Sequence, residues 1–147
     1  MRNQLLFLFF SVSTLFFISC DKKSGDPFTI NGTITGAENK KIILETMTFP
    51  EAGQPKYTII DTVTADKEGK FTIKNHLPER MTCRLTVAGA DQNYYVVSLQ
   101  NEEMELTANV NEAGNPTITG SPATLSLFGL MKTLRDFDEA AMRMNDS

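Results

Sequence analysis

The sequence predicts an all-β domain, an antiparallel β-sandwich of seven or eight short strands, followed by one amphipathic helix. Two observations carry this. Between Phe28 and about Gly120, apolar and polar residues alternate with a period of two, in short runs separated by turn signals. After Gly120 the apolar spacing changes to steps of three and four, the period of a helix with one apolar stripe.

Taken in order, Phe28, Ile30 and Ile34 alternate with Thr29, Asn31, Thr33 and Thr35, as in a strand with one buried face. Gly36, Ala37, Glu38 and Asn39 form a turn into a second strand, Lys41 to Thr48. Pro50, Gly53 and Pro55 mark a loop, and Tyr57 to Thr64 is rich in β-branched residues that suit a third strand. Asp66-Lys67-Glu68-Gly69 then turns the chain into Lys70 to Asn75, with Phe71 and Ile73 inward; this reads as the clearest hairpin. Met81, Cys83, Leu85 and Val87 share the inner face of the next strand. A turn from Gly89 to Asn93 leads to Tyr94 through Leu99, and Asn101-Glu102 leads to Glu103 through Val110. Thr117 to Thr119 is a short last strand. Regular short strands of this kind fit two packed antiparallel sheets, with barrel closure as the alternative.

The helix begins with Ser121 as N-cap and Pro122 in the first turn. Leu127, Leu130, Leu134, Phe137, Ala141 and Met144 step by three and four to form its stripe, broadened by Leu125, Phe128 and Met131. The first expectation is that this stripe packs on its own sandwich; the alternative is that it docks a partner helix or a second domain.

Ahead of the strands, a run from Leu5 to Ile18 is broken only by Ser11, Ser13 and Thr14 and follows Arg2. It is shorter than the ~20 residues a membrane-spanning helix needs, and it ends in a small residue. This is the anatomy of a secretory leader, and Phe17-Ile18-Ser19-Cys20 resembles a bacterial lipobox. The resemblance implies cleavage between Ser19 and Cys20, acylation of Cys20 and attachment to a membrane by that lipid. The expected organisation is a signal peptide over 1–19, a lipidated polar tether over 20–27, the sandwich over 28–120 and the helix over 121–147. Asp21 to Pro27, fully extended, reach at most about 25 Å, which keeps the folded part near the bilayer. Asp21-Lys22-Lys23 lacks the acidic run that resembles a surface-export signal, so the expected place is the cell envelope, lipid-anchored on the periplasmic side of the outer membrane. The competing use of the two cysteines, Cys20 and Cys83, is one disulfide.

Removing the leader takes Arg2 away and moves the formal charge from −4 to −5. A balance this acidic offers no positive field for nucleic acid. Five of the ten Phe belong to the leader, and what remains has ordinary globular composition for a single domain.

From Phe28 to about Ala141 the chain resembles the N-terminal β-sandwich domain of unknown function found in lipoproteins of certain Gram-negative bacteria. The resemblance rests on Phe28-Thr29-Ile30-Asn31-Gly32, Asp61-Thr62, Gly69-Lys70-Phe71 and Ile118-Thr119-Gly120-Ser121. In those proteins the domain usually precedes a thioredoxin-like disulfide oxidoreductase domain of the thiol-specific antioxidant type. That domain works through a Cys-x-x-Cys pair, and this chain has none. The resemblance therefore implies a fold and an address, and carries no catalytic role onto any residue here.

The remaining chemistry-bearing residues read as structural. Cys83 shares its face with Leu85 and Val87 and is expected to be an inert core thiol, with Arg84 pointing the other way. His76 stands in a turn with no second ligand near it, so no metal is expected. Asp66-Lys67-Glu68-Gly69 hints at a calcium loop but lacks carboxylates at the alternate positions. Glu102, Glu103 and Glu105 are candidates for paired acid and base, weighed against a solvated strand face. Tyr94 and Tyr95 should face opposite ways. No catalytic set and no cofactor are expected, which leaves three functional classes: a non-catalytic envelope lipoprotein module, the front part of a thiol-disulfide oxidoreductase, and a small-ligand-binding lipoprotein.

Overall fold

The alternation beginning at Phe28 becomes strand β1 (Phe28–Thr35) in the computed structural model, which describes residues 25–112 and 116–145. The leader, Ser19, Cys20 and the first part of the tether lie outside the described residues. Strands β2 (Lys41–Thr48), β3 (Lys56–Thr64), β4 (Lys70–Asn75), β5 (Met81–Val87), β6 (Tyr94–Leu99), β7 (Glu103–Asn109) and β8 (Thr117–Thr119) follow, then helix α1 (Pro122–Asn145). Two four-stranded sheets face each other, in the orders β4-β1-β7-β8 and β3-β2-β5-β6. Neither closes into a barrel, so the sandwich holds and the alternative falls.

Alternation decides the core. Phe28, Ile30 and Ile34 of β1, Ile42 and Leu44 of β2, Tyr95 of β6 and Leu106 of β7 are all buried, while their sequence neighbours are not; in β5, Leu85 is buried beside Thr86, which is buried too. Tyr95 puts its hydroxyl to use inside, donating to the Asn109 carbonyl at 2.9 Å. Burial of each large apolar side chain is worth about 1.5–3 kcal/mol, which is what holds the two sheets together.

Two features of the topology differ from expectation. The turn at Asp66–Gly69 is not a hairpin: β3 pairs with β2 in one sheet and β4 pairs with β1 in the other. The turn itself is well made. The Asp66 amide donates to the Lys70 carbonyl at 2.9 Å, and Asp66 Oδ1 accepts from the amides of Glu68 and Lys70 at 2.8 and 2.9 Å. Beyond it, the Ile34 amide donates to the Gly69 carbonyl at 2.9 Å and draws β4 onto β1, so the chain changes sheets. The second difference is that β1 and β7 run parallel, Thr29↔Glu103 through Thr35↔Asn109, while the other pairings are antiparallel. Parallel neighbours need a long connection between them, and β2 through β6 supply it.

Two of the short motifs behind the resemblance meet in space. Gly32 lies opposite Phe71 in the β1–β4 register, and a Cβ on Gly32 would sit 2.1 Å from the Phe71 ring. The glycine is needed there because the aromatic ring covers the strand. Asp61 lies where β3 bulges against Leu44 and Glu45 of β2, within 3.5 Å of Asn75 Nδ2 at the end of β4. Gly120 holds φ +80° between β8 and α1, where a Cβ would stand 2.0 Å from the Glu103 carbonyl oxygen.

Candidate functional site

The helix is fixed to the sandwich by its first turn. Ser121 is the N-cap: its carbonyl accepts from the Leu125 amide at 3.0 Å, and its Oγ accepts from the Thr124 amide at 3.3 Å. Ser121 and Thr124, both fully buried, reach across to β6. The Ser98 amide donates to Thr124 Oγ1 at 3.0 Å, and Thr124 Oγ1 donates to the Ser98 carbonyl at 3.1 Å. Ser121 Oγ donates to Thr124 Oγ1 at 2.8 Å, closing a buried set of hydroxyls on the strand edge.

The side of the helix turned to β6 therefore carries Thr124, Phe128, Met131 and Arg135, spaced by four, three and four. Phe128 packs on the core; further along, Met131 is already 44% exposed. This corrects the first expectation for the stripe. Leu130, Leu134, Phe137 and Met144 are exposed, Leu127 and Ala141 are half-buried, and the stripe does not pack on the sandwich. The reason is geometric: the helix meets the sheet edge through Thr124 and Phe128, on a different stripe from Leu130, Leu134 and Phe137.

Between β6 and α1 lies a cleft of about 410 Å³, lined by Gln92, Tyr94, Tyr95 and Val96 on one side and Phe128, Met131 and Arg135 on the other. Its lining combines aromatic and aliphatic side chains with Gln92 and the Arg135 guanidinium. No nucleophile or acid–base pair lines it.

The other candidates are placed as follows. Cys83 has no exposure, and burial pushes its thiol up to about 12, which leaves almost no thiolate at neutral pH. His76 is exposed in its turn, where its amide donates to Asn75 Oδ1 at 2.8 Å. The Asp66 carboxylate is engaged by the amides of Lys70 and Glu68, which hold it below its ordinary range. Among the described residues no group of carboxylates, histidines and cysteines is arranged to hold a metal. Glu103 and Glu105 lie on an exposed face, with Glu105 accepting from Asn31 Nδ2 at 3.0 Å. Glu102 departs from them. Its carboxylate folds back onto the β6–β7 turn, accepting from the amides of Gln100 at 2.7 Å and Asn101 at 3.1 Å, and pairs with Arg80. Burial raises its pKa, but the Gln100 amide and the Arg80 guanidinium outweigh that and hold it low. Tyr94 is 43% exposed while Tyr95 is buried, as their adjacency requires. Ser19 and Cys20 lie outside the described residues.

Sequence reasoning missed a cluster on the outer face of the β3–β2–β5–β6 sheet. Arg84 Nε donates to Glu45 Oε2 at 2.6 Å, and the guanidinium lies 3.5 Å from the Tyr57 ring centroid and 6.0 Å from that of Tyr94. Four strands contribute, so no local spacing reveals it. It also missed the hydroxyl clamp on Ser98, although Ser121, legible as an N-cap, marks one end of it.

Solved structures show distant likeness. (S)-Allantoin synthase aligns at a TM-score of 0.42 and 12% identity over 67% of this chain and 45% of that one. Pneumolysin aligns at 0.23 and 11% over 65% and 23%, and listeriolysin O at 0.23 and 10% over 65% and 22%. The chain thus spans less than half the length of each of these proteins, and likeness of this size supports no inference about function. No curated protein matches the chain. A family model described as "Domain of unknown function (DUF4369)" matches residues 28–125, from the first residue of β1 through the first turn of α1, and the chain belongs to that family.

Proposed function

We propose that this chain is a non-catalytic module of the cell envelope, held by acyl chains on Cys20 at the periplasmic side of the outer membrane, that docks a partner helix or domain on α1. The observation that carries this reading is the exposure of Leu130, Leu134 and Phe137, at 57%, 56% and 70%. A row of large apolar side chains at heptad spacing is a seam waiting for a partner surface. Supporting it, the thiol at Cys83 is buried and the carboxylates of Asp66 and Glu102 are spent on their own turns. The tether reading rests on the leader and on Ser19-Cys20.

Its test is intact-mass measurement of the exported protein from the membrane fraction, with Cys20→Ser beside it. Added lipid mass and release of the variant into the soluble fraction are expected. A lipid-free product, or turnover of a disulfide or peroxide by the purified chain, overturns the reading. For the docking half, a photocrosslinker placed at Phe137 in cells should give one discrete adduct; none would remove it.

A second reading, the N-terminal part of a thiol-disulfide oxidoreductase, is favoured by the same uncovered helix face, which a following domain would cover. Reading the gene past Ser147 for a thioredoxin-like segment with Cys-x-x-Cys separates the two. Small-ligand binding is a third, since the β6–α1 cleft falls within the ~300–1,000 Å³ range of ligand pockets.

A further inference from the structure

Strand β6 is outermost in its sheet and pairs with β5 alone. At Ser98 both backbone groups turn away from β5, because both are taken by Thr124. The β5–β6 register runs without a bulge from Met81↔Leu99 to Thr86↔Tyr94. Backbone direction alternates along an antiparallel strand, so Val96 and Tyr94 also turn their N–H and C=O groups outward. These groups open into the cleft opposite Phe128, Met131 and Arg135. Among the described residues nothing is hydrogen-bonded to them. The Thr124 hydroxyl on α1 thus does for Ser98 what a neighbouring strand would do, and the next two outward positions stand open.

We propose that this slot takes up an extended peptide segment of a partner protein, added to β6 as a further strand between its edge and α1. Open donors and acceptors repeating every second residue match another backbone, the pattern by which extended peptides add to sheet edges. The peptide is apolar where it packs on Phe128 and Met131. It carries a carboxylate where it meets Arg135, which makes no ion pair among the described residues: Asp136 and Glu139 on the same helix are taken by Lys132 and Arg143. The inference is independent of Cys20 and of the Leu130–Leu134–Phe137 seam, which occupies a different stripe of the helix.

Two fluorescent synthetic peptides alternating valine and threonine, one ending in glutamate and one in lysine, are titrated into the exported chain and followed by anisotropy. Val96→Pro deletes an outward N–H that the β5 ladder does not use, at an edge position where proline is tolerated. The glutamate peptide should bind, and Val96→Pro should weaken it by at least about tenfold, the scale of losing a buried backbone pairing. Arg135→Glu should reverse the preference toward the lysine peptide. If Val96→Pro does not fold, hydrogen exchange of the Val96 amide in the unaltered chain decides instead, and it should slow when the glutamate peptide is present. Binding of neither peptide, binding indifferent to Val96→Pro, or an exchange rate at Val96 that the peptide leaves unchanged overturns the proposal. So does a peptide-free dimer that Val96→Pro abolishes.

Discussion

The sandwich and the helix hold similar apolar side chains and treat them in opposite ways. Phe28 in β1 has no exposure, whereas Phe137 in α1 is 70% exposed. Each inward residue of β1, β4 and β7 faces a second sheet, so once two sheets meet, the period of two settles which of their residues are buried. Among the described residues no such opposite surface covers Leu130, Leu134 and Phe137 of the helix, and they stay exposed. The body is thus a finished structure, and α1 is one that the body supports at Ser98 and then leaves uncovered.

The sharpest way to break this contrast is to truncate the two phenylalanines. Phe28→Ala should cost about 3–5 kcal/mol, the range for emptying a phenylalanine site in a core. Phe137→Ala should cost under about 0.5 kcal/mol, as at an exposed position away from special features. Denaturant titration of the full chain measures both. A Phe137 penalty close to that of Phe28 would mean that the stripe is already covered in the isolated protein.

How much of this was legible depended on the distance over which each decision is made. The inward faces were readable from adjacent residues: Cys83 and Arg84 sit on opposite sides of β5, as their neighbouring positions demand. The Asp66–Gly69 turn was also legible, but its consequence was not. The same turn hydrogen bonds serve a hairpin or a change of sheet, and the decision came from Ile34, which takes the Gly69 carbonyl from far upstream. The parallel pairing of β1 with β7 leaves no local trace at all. In the candidate site, the N-cap at Ser121 was readable, yet its partner Ser98 lies in another strand. Leu127 and Phe128 are both apolar, so sequence could not say which helix face would meet the sheet; the buried hydroxyl of Thr124 turned it toward Phe128. Ser19 and Cys20 stand on their sequence pattern alone.

The joint between the two regions is the next place to press. Gly120 holds φ +80° and approaches the Glu103 carbonyl so closely that a Cβ would lie 2.0 Å from it. Gly120→Ala should cost at least about 1–2 kcal/mol from the left-handed backbone alone, before the collision is relieved. Hydrogen exchange says where the damage falls. The Ser98 amide, now held by Thr124, should lose protection while amides of β1 paired with β4 keep theirs. Equal loss across both would show that the helix start and the sandwich unfold together, and the contrast between finished body and supported helix would be wrong.

The smallest effect concerns pH and tests whether Glu102 is a structural carboxylate. Its pKa is depressed in the folded protein: burial opposes ionisation, but the Gln100 amide and the Arg80 guanidinium favour it more. A group whose folded pKa lies below its unfolded one binds more protons when unfolded, so it adds stability above the unfolded value of 4.5. That contribution fades as pH falls through the folded pKa. Asp66, held low by the Lys70 and Glu68 amides, acts in the same direction from 3.8 downward. Thermal melts between neutral pH and about pH 3 should therefore show stability falling on the acid side, near the ordinary carboxylate range. Glu102→Gln should lower stability at neutral pH and flatten that acid slope, because the amide no longer titrates. An unchanged slope in the variant would remove Glu102 from the turn's electrostatics and leave Asp66 to account for the fall.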